Sequence, residues 1–96
     1  MYLKMYEVES DTMVAVCDKR LIGKRFTQGD LVLDISENFY KGSIAKEIDV
    51  IDALNSATMA NLVGPKAVKC AVDNGFVDEC NVIMIEGVPH AQMIRI

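Results

Sequence analysis

The spacing of apolar and polar residues predicts a first half made of short strands. Aromatic and aliphatic residues partly alternate with polar ones over Tyr2–Val8, and after a polar turn a second apolar run covers 13–17. Two such runs around a short polar turn are typical of a hairpin. A turn or single helical turn at 18–23 and a brief strand at 24–26 follow. Leu31, Leu33 and Ile35 then recur at every second position, which predicts a half-buried strand.

The pattern changes to a helical period in the second half. From Lys46 the apolar positions recur every three or four residues, which predicts a helix over about 46–63. Gly64 and Pro65 break that pattern, and proline favours the first position of a new helix, predicted over 65–74 and closed by a left-handed cap at Asn74 and Gly75.

The last twenty residues predict a closing hairpin, with strands at 82–86 and 90–96 around a turn at 87–89. The expected fold is therefore α+β: a mostly antiparallel sheet of hairpins, with the two consecutive helices packed on one face.

Composition restricts the class of protein. A chain of 96 residues with 51% hydrophobic and 25% charged residues is expected to form a single domain over 1–96. A formal net charge of −4 opposes non-specific attraction to polyphosphates. The sequence shows neither a membrane-spanning apolar run nor a signal-peptide core, and its three widely spaced cysteines are typical of reduced thiols. The expected location is cytoplasmic.

His90, the only histidine, lies in the most informative stretch, from Gly87 to Gln92. If a Gly/Pro turn shapes a hairpin there, His90 and Gln92 lie two apart on one strand and point to the same face, where they can bind a ligand. The alternative is a purely structural turn with a locally bonded histidine. As a general acid or base His90 needs an orienting carboxylate, for which Glu86 and Asp78 are the candidates.

A second candidate site surrounds the Gly64 break. Free backbone N–H groups at the start of the following helix attract anions, with Lys66 beside them and Asn61 just before. The stretch matches neither a P-loop nor a dinucleotide fingerprint, so the alternative is a simple turn between helices in which Asn61 caps a helix end.

Four of the ten basic residues fall within seven positions. They are Lys19, Arg20, Lys24 and Arg25. This cluster predicts a local contact with RNA or another anion, against the alternative of a solvated loop. The cysteines and His90 lack the close ligand pairs of zinc sites, so neither a metal nor a cofactor is expected.

Three motifs together resemble an uncharacterised archaeal domain family of about one hundred residues, a domain of unknown function. They are Ala60-Asn61-Leu62-Val63-Gly64-Pro65-Lys66-Ala67-Val68, Asn74-Gly75-Phe76-Val77-Asp78 and Gly87-Val88-Pro89-His90-Ala91-Gln92. Cys17-Asp18, Leu21-Ile22-Gly23-Lys24 and Ser36-Glu37-Asn38-Phe39-Tyr40 extend the resemblance over essentially the whole chain. It implies a small cytoplasmic archaeal protein of mixed structure, with no assigned activity, cofactor or catalytic residue. Pro65 stands where that family usually has an acidic residue, which argues against a carboxylate acting there.

The pattern favours a non-enzymatic binding module for RNA or a protein of the translation machinery. Its binding residues are the basic cluster 19–25, Lys66 and the corner formed by His90 and Gln92. The alternative is a small enzyme that uses His90 as acid or base on a phosphorylated or amide-bearing metabolite held near Gly64. A third hypothesis is a homo-oligomer in which the strand 90–96 pairs with its own copy.

Overall fold

A six-stranded sheet organises the fold, and a separate two-stranded hairpin lies beside it. The structure is a computed structural model and describes residues 1–95. The strands are β1 Tyr2–Val8, β2 Asp11–Cys17, β3 Arg25–Gln28, β4 Leu31–Asp34, β5 Ser43–Ile44, β6 Met59–Val63, β7 Ile83–Ile85 and β8 Val88–Ile94. The large sheet has the order β5-β1-β2-β6-β8-β7, and β3 pairs with β4. Only β2 and β6 run parallel within the described sheet, so the predicted α+β fold with a mostly antiparallel sheet is confirmed.

Three α-helices connect the strands. They are α1 Glu37–Tyr40, α2 Glu47–Ser56 and α3 Pro65–Asp73, with 3-10 turns at Lys19–Leu21 and Glu79–Asn81. The predicted second helix is confirmed. It ends in a Schellman motif, because the N–H of Phe76 donates to the carbonyl of Ala71 and the N–H of Gly75, with φ of 76°, donates to that of Val72.

The predicted helix over 46–63 is wrong in its second half. The helix α2 ends at Ser56, and Met59–Val63 is the strand β6. This strand lies between β2 and β8, and it buries Leu62 on the helix side and Val63 on the other. A strand buried on both faces forms a nearly continuous apolar run, which periodicity alone does not distinguish from a helix.

The closing hairpin is confirmed, but its turn is not the predicted one. Glu86 and Gly87 form the two-residue turn, with φ of 50° and 79°, and Pro89 lies inside β8. The proline fits there because its carbonyl faces Gly64, which lies beyond the end of β6, so no ladder hydrogen bond is lost. His90 is therefore positioned by a strand and not by a Gly/Pro turn.

Two hydrophobic clusters lie on opposite faces of the sheet. The helices α2 and α3 cover one face, where they bury Val14, Val16 and Leu62. The β3–β4 hairpin and α1 cover part of the other face, with Ile35 and Tyr40 packed in the same cluster as Cys17 and Val63. The two main helices thus share one face, as predicted. No helix within residues 1–95 is long and apolar enough to cross a bilayer.

Candidate functional site

Three sequence motifs that are far apart in the chain meet at one end of the sheet. The parallel strands β2 and β6 end side by side, with Cys17 opposite Val63, and His90 of β8 lies opposite Val63 on its other side. The carboxyl ends of neighbouring parallel strands are where open sheets commonly bind ligands. The segments that follow these strands, 18–25 and 64–66, start side by side, since Asp18 bonds to Val63 and Lys66, and we call the two segments together the basic end.

Asp18 is the polar residue that joins these segments. It is 3% exposed, and its carboxylate accepts hydrogen bonds from the backbone N–H groups of Lys66, at 3.1 Å, and Ala67, at 2.9 Å. Its own N–H donates to the carbonyl of Val63 at 3.0 Å. A carboxylate at this position satisfies the unpaired donors of α3 and complements the helix dipole. Asp18 therefore caps a helix that begins 47 positions later in the chain.

Gly64 is required by this cap. Its φ is 105°, and a Cβ atom added there would lie 2.5 Å from Cγ of Asp18. The N–H of Gly64 donates to the carbonyl of Pro89, and Pro65 has no N–H, so the first donors of α3 are either bonded or missing. The sequence predicts that these backbone N–H groups bind an anion. An anion could bind them only by displacing the carboxylate of Asp18. Only the side chain of Lys66 remains free to contact a ligand.

The structure brings Lys66 next to the basic cluster predicted from the sequence. Its backbone lies at hydrogen-bond distance from Asp18, which directly precedes Lys19 and Arg20. All five basic side chains of this end are exposed, and none forms an ion pair within residues 1–95. They are Lys19, Arg20, Lys24, Arg25 and Lys66. Arg25 faces Asp34 across the β3–β4 hairpin without reaching ion-pair distance.

His90 is half-buried beside this end of the sheet. Burial alone lowers the pKa of its imidazole, without a contribution from a hydrogen bond or a neighbouring charge. Neither predicted carboxylate partner orients the ring. Glu86 binds the β3–β4 hairpin instead, because its Oε2 accepts from the N–H of Thr27 at 2.9 Å and its own N–H donates to Gln28 at 2.8 Å. The imidazole is thus neutral at pH 7, with one donor and one acceptor nitrogen.

Asn61 and Gln92 form a pair of carboxamides on the same sheet face as His90. They lie opposite each other on β6 and β8, and Nε2 of Gln92 donates to Oδ1 of Asn61 at 2.9 Å. Because Asn61 lies in the middle of a strand, the alternative in which it caps a helix end is wrong. Gln92 is exposed, so its carbonyl oxygen and one amide hydrogen remain available to a ligand.

Two of the three cysteines are buried and have raised thiol pKa values. Burial, followed by the charge of Asp18, raises the pKa of Cys17 to about 11, and burial also raises the pKa of Cys70. Cys80 is exposed and lies in a separate turn. The described part of the chain contains no group of three or more His, Cys, Asp or Glu side chains that could hold a metal.

The sequence analysis does not predict the role of Asp18, although Cys17-Asp18 belongs to the family resemblance. The signal was a carboxylate directly after a buried strand, together with a Gly-Pro helix start that lacks a Ser, Thr, Asp or Asn cap. Without knowledge of the β2–β6 pairing, nothing linked the two.

Comparisons with known proteins identify the family of this chain, but the function of that family is unknown. The family model described as "Protein of unknown function (DUF424)" matches residues 6–96. A solved structure, titled "Crystal structure of an uncharacterized conserved protein from Methanopyrus kandleri", is similar with a TM-score of 0.80 and 27% identity, covering 96% of this chain and 88% of that one. No curated protein matches the chain. Since the family model spans nearly all of the sequence, the chain belongs to the DUF424 family of proteins of unknown function.

Proposed function

We propose that this protein is a non-enzymatic binding module and that its basic end binds RNA. The observation that carries the proposal is that five exposed basic side chains, without ion-pair partners among residues 1–95, fall in the two segments that follow the neighbouring parallel strands β2 and β6. Basic groups that are not neutralised by the protein are available to phosphates, whose condensed counterions they release.

The basic end is positively charged, although the chain as a whole is acidic. With Asp18 included, the segments 18–25 and 64–66 carry a formal charge of +4, which leaves −8 on the rest of the protein. Asp18, the acidic residue at the centre of the basic end, is buried and bonded to backbone N–H groups. Such segregation orients a polyanion, because one end attracts phosphates and the remaining surface repels them.

Polar groups suited to nucleobases lie beside the basic end. The neutral imidazole of His90 and the exposed amide of Gln92 offer both donors and acceptors on one sheet face. Unpaired bases of single-stranded RNA expose their hydrogen-bonding edges, whereas double helices conceal most of them. The arrangement therefore favours single-stranded or looped RNA, with phosphates at the basic end and a base near His90.

The salt dependence of RNA binding tests the proposal. Fluorescence anisotropy with a labelled single-stranded 12-mer, measured between low and moderate salt, should show an affinity that falls linearly on a log-log plot. The variant Lys24→Gln/Arg25→Gln should make that slope shallower by about 1.4, since each lost phosphate contact contributes about 0.7 for single strands.

The matched control removes the same charge at another edge of the sheet. Lys41→Gln/Lys46→Gln changes two exposed residues that flank β5, two strands away from β2. It should leave the slope nearly unchanged. An equal change in both double variants, or no binding at low salt, would overturn the proposal. Cosedimentation with ribosomes, with the same variants, tests the narrower expectation of an RNA of the translation machinery.

A further inference from the structure

The outer edge of β8 is only half covered by its neighbour. The hairpin partner β7 pairs with β8 from Val88 to His90, where Ile83 lies opposite. The strand β8 continues to Ile94, so its segment 91–94 has no outer partner strand in the described sheet.

The backbone direction along this segment follows from two hydrogen bonds. The carbonyl of Pro89 accepts from Gly64, and the N–H of Arg95 donates to Thr58, so both residues direct their backbone groups toward the β6 side. Since these groups alternate along a strand, Gln92 and Ile94 direct their N–H and carbonyl groups outward. Within residues 1–95 no other chain segment bonds to them. An extended chain placed there can therefore form up to four main-chain hydrogen bonds.

A groove of about 890 Å³ runs along this open edge. The segment that follows α3 forms its other wall, with Phe76, Asp78 and Glu79. Two large apolar side chains of the sheet line it and are well exposed, Ile83 at 48% and Ile94 at 70%. The groove thus offers apolar surface beside unpaired backbone, which are the two features used when a peptide adds a strand to a sheet.

The negative charge of the groove favours a basic peptide over a second copy of the chain. Asp78 and Glu79 are exposed, and neither forms an ion pair within residues 1–95. No Lys or Arg belongs to the described lining, and the guanidinium of Arg95, which lies 5.7 Å from the ring centroid of Phe76, donates to the carbonyl of Asn55. A second copy placed symmetrically on this edge would bring the same two carboxylates toward those of its partner, since a two-fold interface joins identical surfaces. A basic segment of another protein has no such repulsion.

We infer that the open edge of β8 binds an extended peptide of a partner protein, in which apolar residues alternate with Lys or Arg. The peptide adds as a strand outside Gln92 and Ile94. Its apolar side chains contact Ile83 and Ile94, and its basic residues face Asp78 and Glu79. The groove is lined by His90 and Gln92, which we place beside a base, so the peptide site adjoins the RNA surface, but none of the five basic side chains of the basic end lines it.

A synthetic peptide tests the inference with the whole protein. The probe is a labelled nine-residue peptide in which Val alternates with Lys, and its control has Glu in place of Lys. The Lys peptide should bind more tightly than the Glu peptide and should slow hydrogen exchange of the Gln92 and Ile94 amides. In an extended peptide, successive amides lie on opposite edges, and only one edge pairs with β8. N-methylation of one set of alternate amides should therefore abolish binding, whereas N-methylation of the other set should not.

Variants separate the charge from the backbone contribution. Asp78→Asn/Glu79→Gln should weaken binding of the Lys peptide by about fivefold, because exposed ion pairs are individually weak. The control Glu7→Gln/Asp52→Asn changes the charge equally at two exposed residues outside the groove, and should change the affinity little. Lys24→Gln/Arg25→Gln should bind the peptide as the unmodified protein does.

Three results would overturn the inference. They are equal affinity for the Lys and Glu peptides, binding that tolerates N-methylation of either set of amides, and sedimentation as a dimer that Gln92→Pro converts to a monomer. The last would assign the edge to a second copy of the chain.

Discussion

Replacing Asp18 by alanine should lower the free energy of unfolding by about 3 kcal/mol. The substitution leaves the N–H groups of Lys66 and Ala67 without acceptors in a position from which water is largely excluded, since Asp18 is only 3% exposed. Each unsatisfied buried donor costs about 1 to 3 kcal/mol, and loss of a helix cap alone costs about 0.5 to 2 kcal/mol. These ranges overlap because they describe the same bonds, which is why the expected total is about 3 kcal/mol and not their sum.

Asp18→Asn separates the hydrogen bonds from the charge. The amide keeps one acceptor oxygen for one of the two N–H groups and loses the interaction with the helix dipole, so a loss of about 1 to 2 kcal/mol is expected. Asp52→Ala is the control, because Asp52 is exposed on α2, and it should change stability by less than about 0.5 kcal/mol.

Urea unfolding followed by far-ultraviolet circular dichroism measures these differences, since the chain has no Trp for fluorescence. Hydrogen exchange at the amides of Lys66 and Ala67 shows whether the cap itself has opened. A loss below about 1 kcal/mol for Asp18→Ala, or equal losses for alanine and asparagine, would refute this account of the cap.

Three further predictions concern Gly64, His90 and Cys17. Gly64→Ala should destabilise the protein by more than about 2 kcal/mol, whereas Gly75→Ala, also at positive φ but in open space, should cost about 1 kcal/mol; similar urea midpoints for the two would contradict this. The lowered pKa of His90 means that the unfolded chain binds the proton more readily, so stability should fall as pH drops through 6.5, the ordinary value, toward the folded pKa. The variant His90→Gln should not show this loss of stability between pH 5 and 7. If its stability depends on pH as that of the unmodified protein does, His90 is not the cause. Iodoacetamide at pH 8 should label Cys80 but not Cys17, whose buried thiol has a pKa of about 11. Mass spectrometry of the labelled native protein measures this, and labelling of Cys17 would contradict the prediction.

Local patterns in the sequence were enough to predict the hairpins and the helix α3. The β1–β2 hairpin depends on neighbouring apolar runs, and α3 has Pro65 at its start and Gly75 at its end. These signals act within a few residues, so they survive in any tertiary context.

The errors arise where distant segments decide the outcome. Met59–Val63 becomes a strand because β2 and β8 provide hydrogen-bonding partners on both sides, and neither is adjacent in sequence. The short helix α1 was also missed, although Ser36 Oγ accepts from the N–H of Phe39 as a cap. A single turn has too few residues to show a helical period.

The candidate site was predicted as separate pieces. His90, Gln92, Lys66 and the cluster at 19–25 were all named from the sequence, but their proximity depends on the parallel pairing of β2 and β6. The backbone anion site at Gly64 is filled by Asp18 because that carboxylate emerges from the neighbouring strand. Residue types can thus be identified locally, whereas their partners are set by strand order.

The most direct measurement of RNA binding at the basic end is a titration of the ¹⁵N-labelled protein with the single-stranded 12-mer, followed by amide chemical shifts. Shifts concentrated at Lys19, Arg20, Lys24, Lys66 and His90, with Lys41 and Lys46 unaffected, are the predicted result. An unchanged spectrum, or shifts confined to surfaces away from the carboxyl ends of β2 and β6, would contradict it.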